Sequence, residues 1–316
     1  MIGVMGFRMT SAKKIQVGGQ AVIEGVMMRS PEYVSVAVRK PNGRIVLKRD
    51  AYISWTKRYK VFGLPLIRGG IILIESLVLG IKALNFSGDV AMEEEKKKKK
   101  SDGPPEKRSR VWMGLTVLLA LALGIGLFFF LPLFLTELTG VKSGVLFNVI
   151  DGAFRLAIFL VYLALISLWK EIRRIFEYHG AEHKAIFAFE EGKPLTLDSV
   201  RPYATYHPRC GTSFLLVVML VALLVFVFLG KPQDMGDRLV RFLFIPVIGG
   251  ISYEIIRLSG KKYGKKLAQV LVAPGLWLQR VTTKEPDDSQ LEVALVALKS
   301  ALDRDVGADV EIFSGA

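Results

Sequence analysis

Two stretches of this chain carry no charged side chain at all, 25 residues from Val111 to Leu135 and 18 from Ser213 to Gly230. A helix rises about 1.5 Å per residue, so either run can cross a hydrocarbon core of about 30 Å. Val145–Trp169 reads as a third span, because its only charges, Asp151 and Arg155, lie four apart on one helical face and can neutralise each other. Leu239–Ile256, with Arg241 and Glu254 near its ends, reads as a fourth. The 316 residues are 51% hydrophobic and yet 23% charged, so the apolar residues are gathered into blocks. That excludes a disordered chain and argues against an ordinary soluble domain.

Charge sets the expected orientation. The chain has 43 Lys+Arg against 29 Asp+Glu, a formal charge of +14. Its basic segments 87–110, 170–212 and 257–266 all fall on one side if there are four spans, and basic loops stay cytoplasmic. A fifth apolar block, Leu66–Phe86, contains Arg68 and Glu75. As a full span it would put the basic N-terminal region and the run Lys96–Lys100 on opposite faces, so it is expected to be an interfacial, re-entrant or protein-buried helix. The first dozen residues have no apolar core of signal-peptide length, so no cleavage is expected. The single cysteine excludes an intramolecular disulfide framework.

The expected fold is therefore mainly α, a polytopic helical protein of the cytoplasmic (inner) membrane with about four transmembrane helices and both termini cytoplasmic. Val34, Val36 and Val38 alternate with small or polar residues, Lys40-Pro41-Asn42-Gly43 supplies a turn, and Ile45, Val46 and Leu47 continue the extended pattern. This predicts a small cytoplasmic β-hairpin. The organisation is then an N-terminal cytoplasmic region (1–65), the interfacial or re-entrant helix (66–86), a charged linker (87–110), a four-span region with a cytoplasmic loop at 170–212 (111–256), and a cytoplasmic tail (257–316). In the tail, Leu291, Leu295, Leu298 and Leu302 recur at helical spacing behind the capping residues Asp287-Asp288-Ser289.

All three histidines and the one cysteine fall within residues 179–210. His179 and His183 are four apart, so on a helix both imidazoles leave one face and can meet one ion. His207 and Cys210 are three apart in a turn held by Pro208 and Gly211. If all four bind zinc, the site is closed and structural; if three bind, a position stays open for water or substrate. The pattern His179-x-x-Glu182-His183 also fits the arrangement of inverted zinc peptidases, with Glu182 as general base. That class needs a distant acidic ligand, for which Glu254 is the only suggestion the pattern offers. The bland alternatives are hydrogen-bonded histidines and a solvated Glu182 paired with Lys184 or Arg174.

Other polar groups are weaker signals. In Gly18-Gly19-Gln20-Ala21-Val22-Ile23-Glu24-Gly25-Val26-Met27-Met28-Arg29, patterning alone favours a helix packing its Val/Ile/Met stripe on the core, with Gln20 and Glu24 on one face. No phosphate-loop spacing is present. Lys96–Lys100 is first a positive-inside signal and second a contact for anionic lipid or RNA phosphate, and no aromatic residues interleave with it to stack bases. Asp151 and Arg155 suggest a structural pair or an ion path, although about four spans without an inverted repeat suit a transporter poorly.

With that glycine-bounded stretch, His179-Gly180-Ala181-Glu182-His183-Lys184, His207-Pro208-Arg209-Cys210-Gly211-Thr212-Ser213-Phe214 and Thr282–Glu292 in order, the chain resembles the bacterial YqhQ family from about residue 15 to 302. The resemblance implies a metal-dependent membrane enzyme without a settled reaction, and it adds that the first three of these motifs belong to one site.

The expected site is thus a divalent metal, zinc foremost, held by His179, His183 and His207, with Cys210 as fourth ligand or reactive thiol. Glu182 is the expected general base, Glu24 and Gln20 complete the pocket, and Lys184 and Arg209 stabilise an anionic substrate or oxyanion. The expected activity is metal-assisted hydrolysis at the membrane surface. The alternative is a non-enzymatic scaffold or biogenesis factor with a structural metal, whose basic cytoplasmic surface binds a protein partner, anionic membrane lipid or a ribosome.

Overall fold

The computed structural model describes residues 15–92, 115, 118–208, 210–261 and 266–313. Lys96–Lys100, most of the expected linker, the start of the first apolar run and Arg209 lie outside the described residues. The chain is mainly helical with a small sheet.

The sheet corrects two expectations. The hairpin at Tyr33–Arg39 (β3) and Ile45–Ala51 (β4) forms as its turn residues predict, with Gly43 at φ 85°. It belongs, however, to five strands in the order β1-β2-β3-β4-β5, with Gly18–Val22 as β1, Gly25–Arg29 as β2 and Val310–Ile312 as β5. Strands β1 to β4 pair antiparallel, and β5 joins β4 in parallel. The stretch expected as a helix is therefore a hairpin, turning at Glu24 with φ 51°. A Cβ on Gly25 would come within 2.2 Å of the Ala37 carbonyl oxygen, so β2 and β3 approach only because that side chain is missing. The helix expectation failed because β2 is buried on both faces and shows no apolar-polar alternation.

Each face of the sheet has its own core. On one side Val22, Met27, Val34, Val36, Val38 and Val46 meet Ala83 and Val90 of α1, the helix Ile67–Ala91. On the other, Val26, Met28, Ala37, Ile45 and Leu47 meet Lys170–Glu190 (called α4 below) and Asp288–Ala301 (α9). Helix α9 starts with a capping box between Asp287 and Gln290, as its sequence predicts, and is buried along most of its circumference. The N-terminal region, the 170–212 loop and the C-terminal tail thus share one core.

Among the described residues, three helical segments are long and apolar enough to cross a membrane: Leu118–Leu138 (α2), Gly144–Ile166 (α3) and Met235–Leu258. The last comprises Met235–Leu243 (α6) and most of Ile245–Lys261 (α7). The remaining expected span forms the helix Gly211–Leu229 (α5), whose apolar portion Ser213–Leu229 is shorter than those three. Helix α2 contains a π-turn at Gly126–Phe130. Arg155 donates to Asp151 from Nε at 2.8 Å, the pairing their spacing predicts.

Helix α1 joins the two regions. Arg68 grips both carboxylate oxygens of Glu254 on α7, and a Cβ on Gly69 would lie 2.8 Å from Gly250 Cα. Lys266–Thr282 (α8) crosses α5, where Gly275 leaves room for Ser213. The end of α8, the start of α5 and the middle of α4 therefore converge.

Candidate metal centre

That convergence brings together His179, His183 and Cys210, each offering a donor atom within 4.8 Å of the other two. His179 Nε2 is 3.2 Å from Cys210 Sγ. Tetrahedral zinc with bonds of about 2.1 Å to nitrogen and 2.3 Å to sulfur sets its donors of the order of 3.5 Å apart, so the trio fits such an ion with small adjustments.

The tautomers follow from the other ring nitrogens. His179 Nδ1 lies 2.8 Å from the Thr282 carbonyl oxygen, and His183 Nδ1 contacts that of Thr205. A carbonyl only accepts, so both Nδ1 atoms carry the proton and donate it. Each Nε2 then has a lone pair available, the arrangement by which backbone carbonyls orient metal-binding imidazoles. His183 is 1% exposed, and burial lowers its pKa, so the ring is neutral as a ligand must be.

Glu182 stands next in the chain to His183, and its Oε2 has no hydrogen-bond partner among the described residues. Burial pushes its carboxyl up to about 8, Cys210 adds to the rise, and His179 and the Gly19 amide oppose it. In isolation the group is protonated at neutral pH, and a nearby cation would return it to the carboxylate. Gly19 on β1 makes the approach possible, since a Cβ there would lie 3.1 Å from Glu182 Cδ.

The remaining expected site residues have other partners. His207 is outside the donor trio, although its ring centroid lies 5.6 Å from that of His183. Gln279 accepts the His207 amide at 2.7 Å and donates to the His207 carbonyl at 2.9 Å, while the His207 ring Nε2 lies 3.5 Å from Glu190 Oε2. Burial pushes its imidazole down to about 4, so this contact joins a neutral ring to Glu190 at neutral pH. Lys184 donates to the Arg201 carbonyl at 2.8 Å and pairs with Glu285. Both oxygens of Glu24 receive the Arg174 guanidinium, and Tyr178 Oη is 3.4 Å from one of them. Gln20 packs toward Gly80 of α1, on the sheet face opposite Glu182. Glu254 is held by Arg68.

Sequence reasoning missed Thr205, Thr282 and Gln279. The threonines act through backbone carbonyls, which any residue type supplies, so no pattern could reveal them. Gly180 offered one signal, a glycine between two ligands, where a Cβ would lie 2.1 Å from the Lys284 carbonyl oxygen.

The family described as "Protein of unknown function (DUF1385)" matches residues 64–304, a range that includes the whole donor trio. The chain is also 36% identical over 298 residues to the Uncharacterized protein YqhQ of Bacillus subtilis (strain 168), an alignment covering 90% of this chain and 92% of that protein. No solved structure matches it. The chain thus belongs to the DUF1385 family by the first measure and to the YqhQ family by the second.

Proposed function

We propose that this is a multi-pass inner-membrane protein whose His179, His183 and Cys210 hold zinc at the cytoplasmic end of its apolar helices, and that it catalyses metal-dependent hydrolysis there. The observation that carries the reading is the pair of Nδ1 contacts to the Thr282 and Thr205 carbonyls, which leave both Nε2 lone pairs beside the Cys210 sulfur. Three protein ligands leave a four-coordinate ion one open position, as in catalytic zinc sites. A divalent cation there supplies Lewis acidity, polarising a carbonyl or phosphoryl oxygen and acidifying water. Glu182, buried and with one oxygen unpartnered among the described residues, takes the proton from the attacking water. The basic loops support the cytoplasmic placement, and the exposed apolar helices support contact with membrane lipid.

A structural role for the metal has its own support. The histidines come from α4 but lean on Thr205 and Thr282, and Gly180 is pressed against Lys284, so an ion there also clamps three segments together. In that reading the basic surface binds a protein, lipid or ribosomal partner without catalysis.

Elemental analysis of the purified protein beside His183→Ala and Cys210→Ser variants tests the site. Stoichiometric zinc in the parent and its loss from His183→Ala are expected; an equal metal content in all three proteins overturns it. Glu182→Gln separates the two roles. Retained zinc with loss of both cellular function and hydrolysis of p-nitrophenyl acetate or p-nitrophenyl phosphate supports catalysis, whereas full cellular function removes the general base and leaves the clamp.

A further inference from the structure

A second buried polar cluster lies among the apolar helices, away from the metal centre. Helix α3 runs from Gly144 to Ile166, next to α4, and α5 runs from Gly211, beside Cys210, to Leu229. Their other ends meet at Gly144 and Gly230, whose neighbouring backbone atoms would lie 3.4–3.9 Å from a Cβ on Gly144. Asp151, seven residues along α3, is therefore about 10 Å in from the end opposite the metal donors.

The groups facing one another there are Asn148, Asp151 and Arg155 of α3 and Arg241 of α6. Arg155 is fully engaged. It donates to Asp151 from Nε and Nη2, at 2.8 and 3.3 Å, and to the Phe128 carbonyl from Nη1 at 2.9 Å. That carbonyl belongs to the π-turn of α2, where the regular helical ladder is interrupted. Arg241, 1% exposed, lies over the Phe226 ring and donates from Nη2 to Asn148 Oδ1 and the Gly230 carbonyl, each at 2.8 Å. Its Nη1 is buried with no hydrogen-bond partner among the described residues. Asp151 is already committed to Arg155, and the other carboxylate acting on Arg241 among the described residues is Asp237, four residues back on α6. A buried guanidinium nitrogen without a hydrogen-bond partner among those residues is costly unless something pairs with it.

These side chains line a cavity of about 220 Å³, whose other walls include Phe128, Phe159, Val218, Leu223 and Ile245. An apolar cavity of about 150 Å³ is enough for benzene. The space thus admits a small anionic group together with the first carbons of a chain.

We propose that this cavity binds the anionic headgroup of a single-chain amphiphile, a carboxylate or phosphate monoester, with Arg241 Nη1 as the donor and the phenylalanine and aliphatic walls around the start of the chain. A guanidinium that spends one nitrogen on fixed carbonyls leaves the other free to donate to a ligand, and charge-assisted bonds of this kind are the strong ones. The site is separate from the metal centre and would stand if the zinc reading failed.

The test uses the full-length protein in nanodiscs of neutral phosphatidylcholine, with radiolabelled oleate as probe. Saturable binding is expected, displaced by unlabelled oleate and by oleyl phosphate but not by methyl oleate or inorganic phosphate. Arg241→Gln, which keeps donors for Asn148 and Gly230, should weaken binding by roughly tenfold or more. Ala222→Phe leaves every charge in place and fills the cavity, so it should abolish oleate binding. A parent-like thermal midpoint and elution profile would show that both variants fold. Displacement by inorganic phosphate alone would make this a free-anion site and overturn the amphiphile. Displacement by methyl oleate would overturn the charge recognition, as would parent-like oleate binding by Arg241→Gln.

Discussion

The sheet with its flanking helices and the set of apolar helices bury themselves in opposite ways. In the first, apolar side chains from both sheet faces find protein partners, and Val26, Met28 and Leu298 are sealed almost completely. In the second, only 6% of the apolar window of α3 is buried, and Phe228 on α5 is 89% exposed. Both regions bury charge as well: the first holds Lys184 against Glu285, and the helices hold the Asp151–Arg155 pair and Arg241. The sheet-side core is complete without a further partner, whereas the apolar helices leave long outer faces exposed, as membrane association requires.

This contrast can be broken or sharpened by substitution. The largest effect is expected from Leu291→Ala in the sheet-side core, where the leucine is 2% exposed; it should lower unfolding stability in denaturant by about 2–5 kcal/mol. Asp151→Asn should come next, lowering the thermal midpoint in detergent by an amount equivalent to about 3 kcal/mol, because Arg155 is left buried without its carboxylate. Gly180→Ala should cost about 1–3 kcal/mol by pushing the Lys284 carbonyl away, and should reduce bound zinc measured by elemental analysis. Asp287→Ala should cost about 1 kcal/mol through loss of the α9 cap, with zinc content unchanged. Phe228→Ala should change the detergent midpoint by less than the equivalent of about 0.5 kcal/mol, since that ring faces outward. A large loss at Phe228 would mean that the helix is covered by protein, and the contrast would fail.

Much of the helical region was legible because uncharged runs announce their own solvent. The charge pair at Asp151 and Arg155 was legible for a similar reason, since a four-residue spacing defines a helical face. The same spacing identified His179 and His183. The hairpin β1–β2 was illegible because Val26, Met27 and Met28 are apolar on both faces, which hides the strand period under a continuous run. His207 looked equivalent to Cys210 by composition, yet Gln279, 72 residues farther along, grips its backbone and the ring sits by Glu190.

Local spacing and charge-free length were enough to specify the long apolar helices and which two imidazoles share a face, because each depends on residues within a few turns of one another. Three matters depended on long-range packing: that Cys210 reaches those imidazoles, that the two ends of the chain close over one sheet, and that Arg241 enters the cavity beside Asp151. In each of these the deciding partner is a distant backbone carbonyl, a missing Cβ or a side chain on another helix, and such partners meet only once the chain has folded.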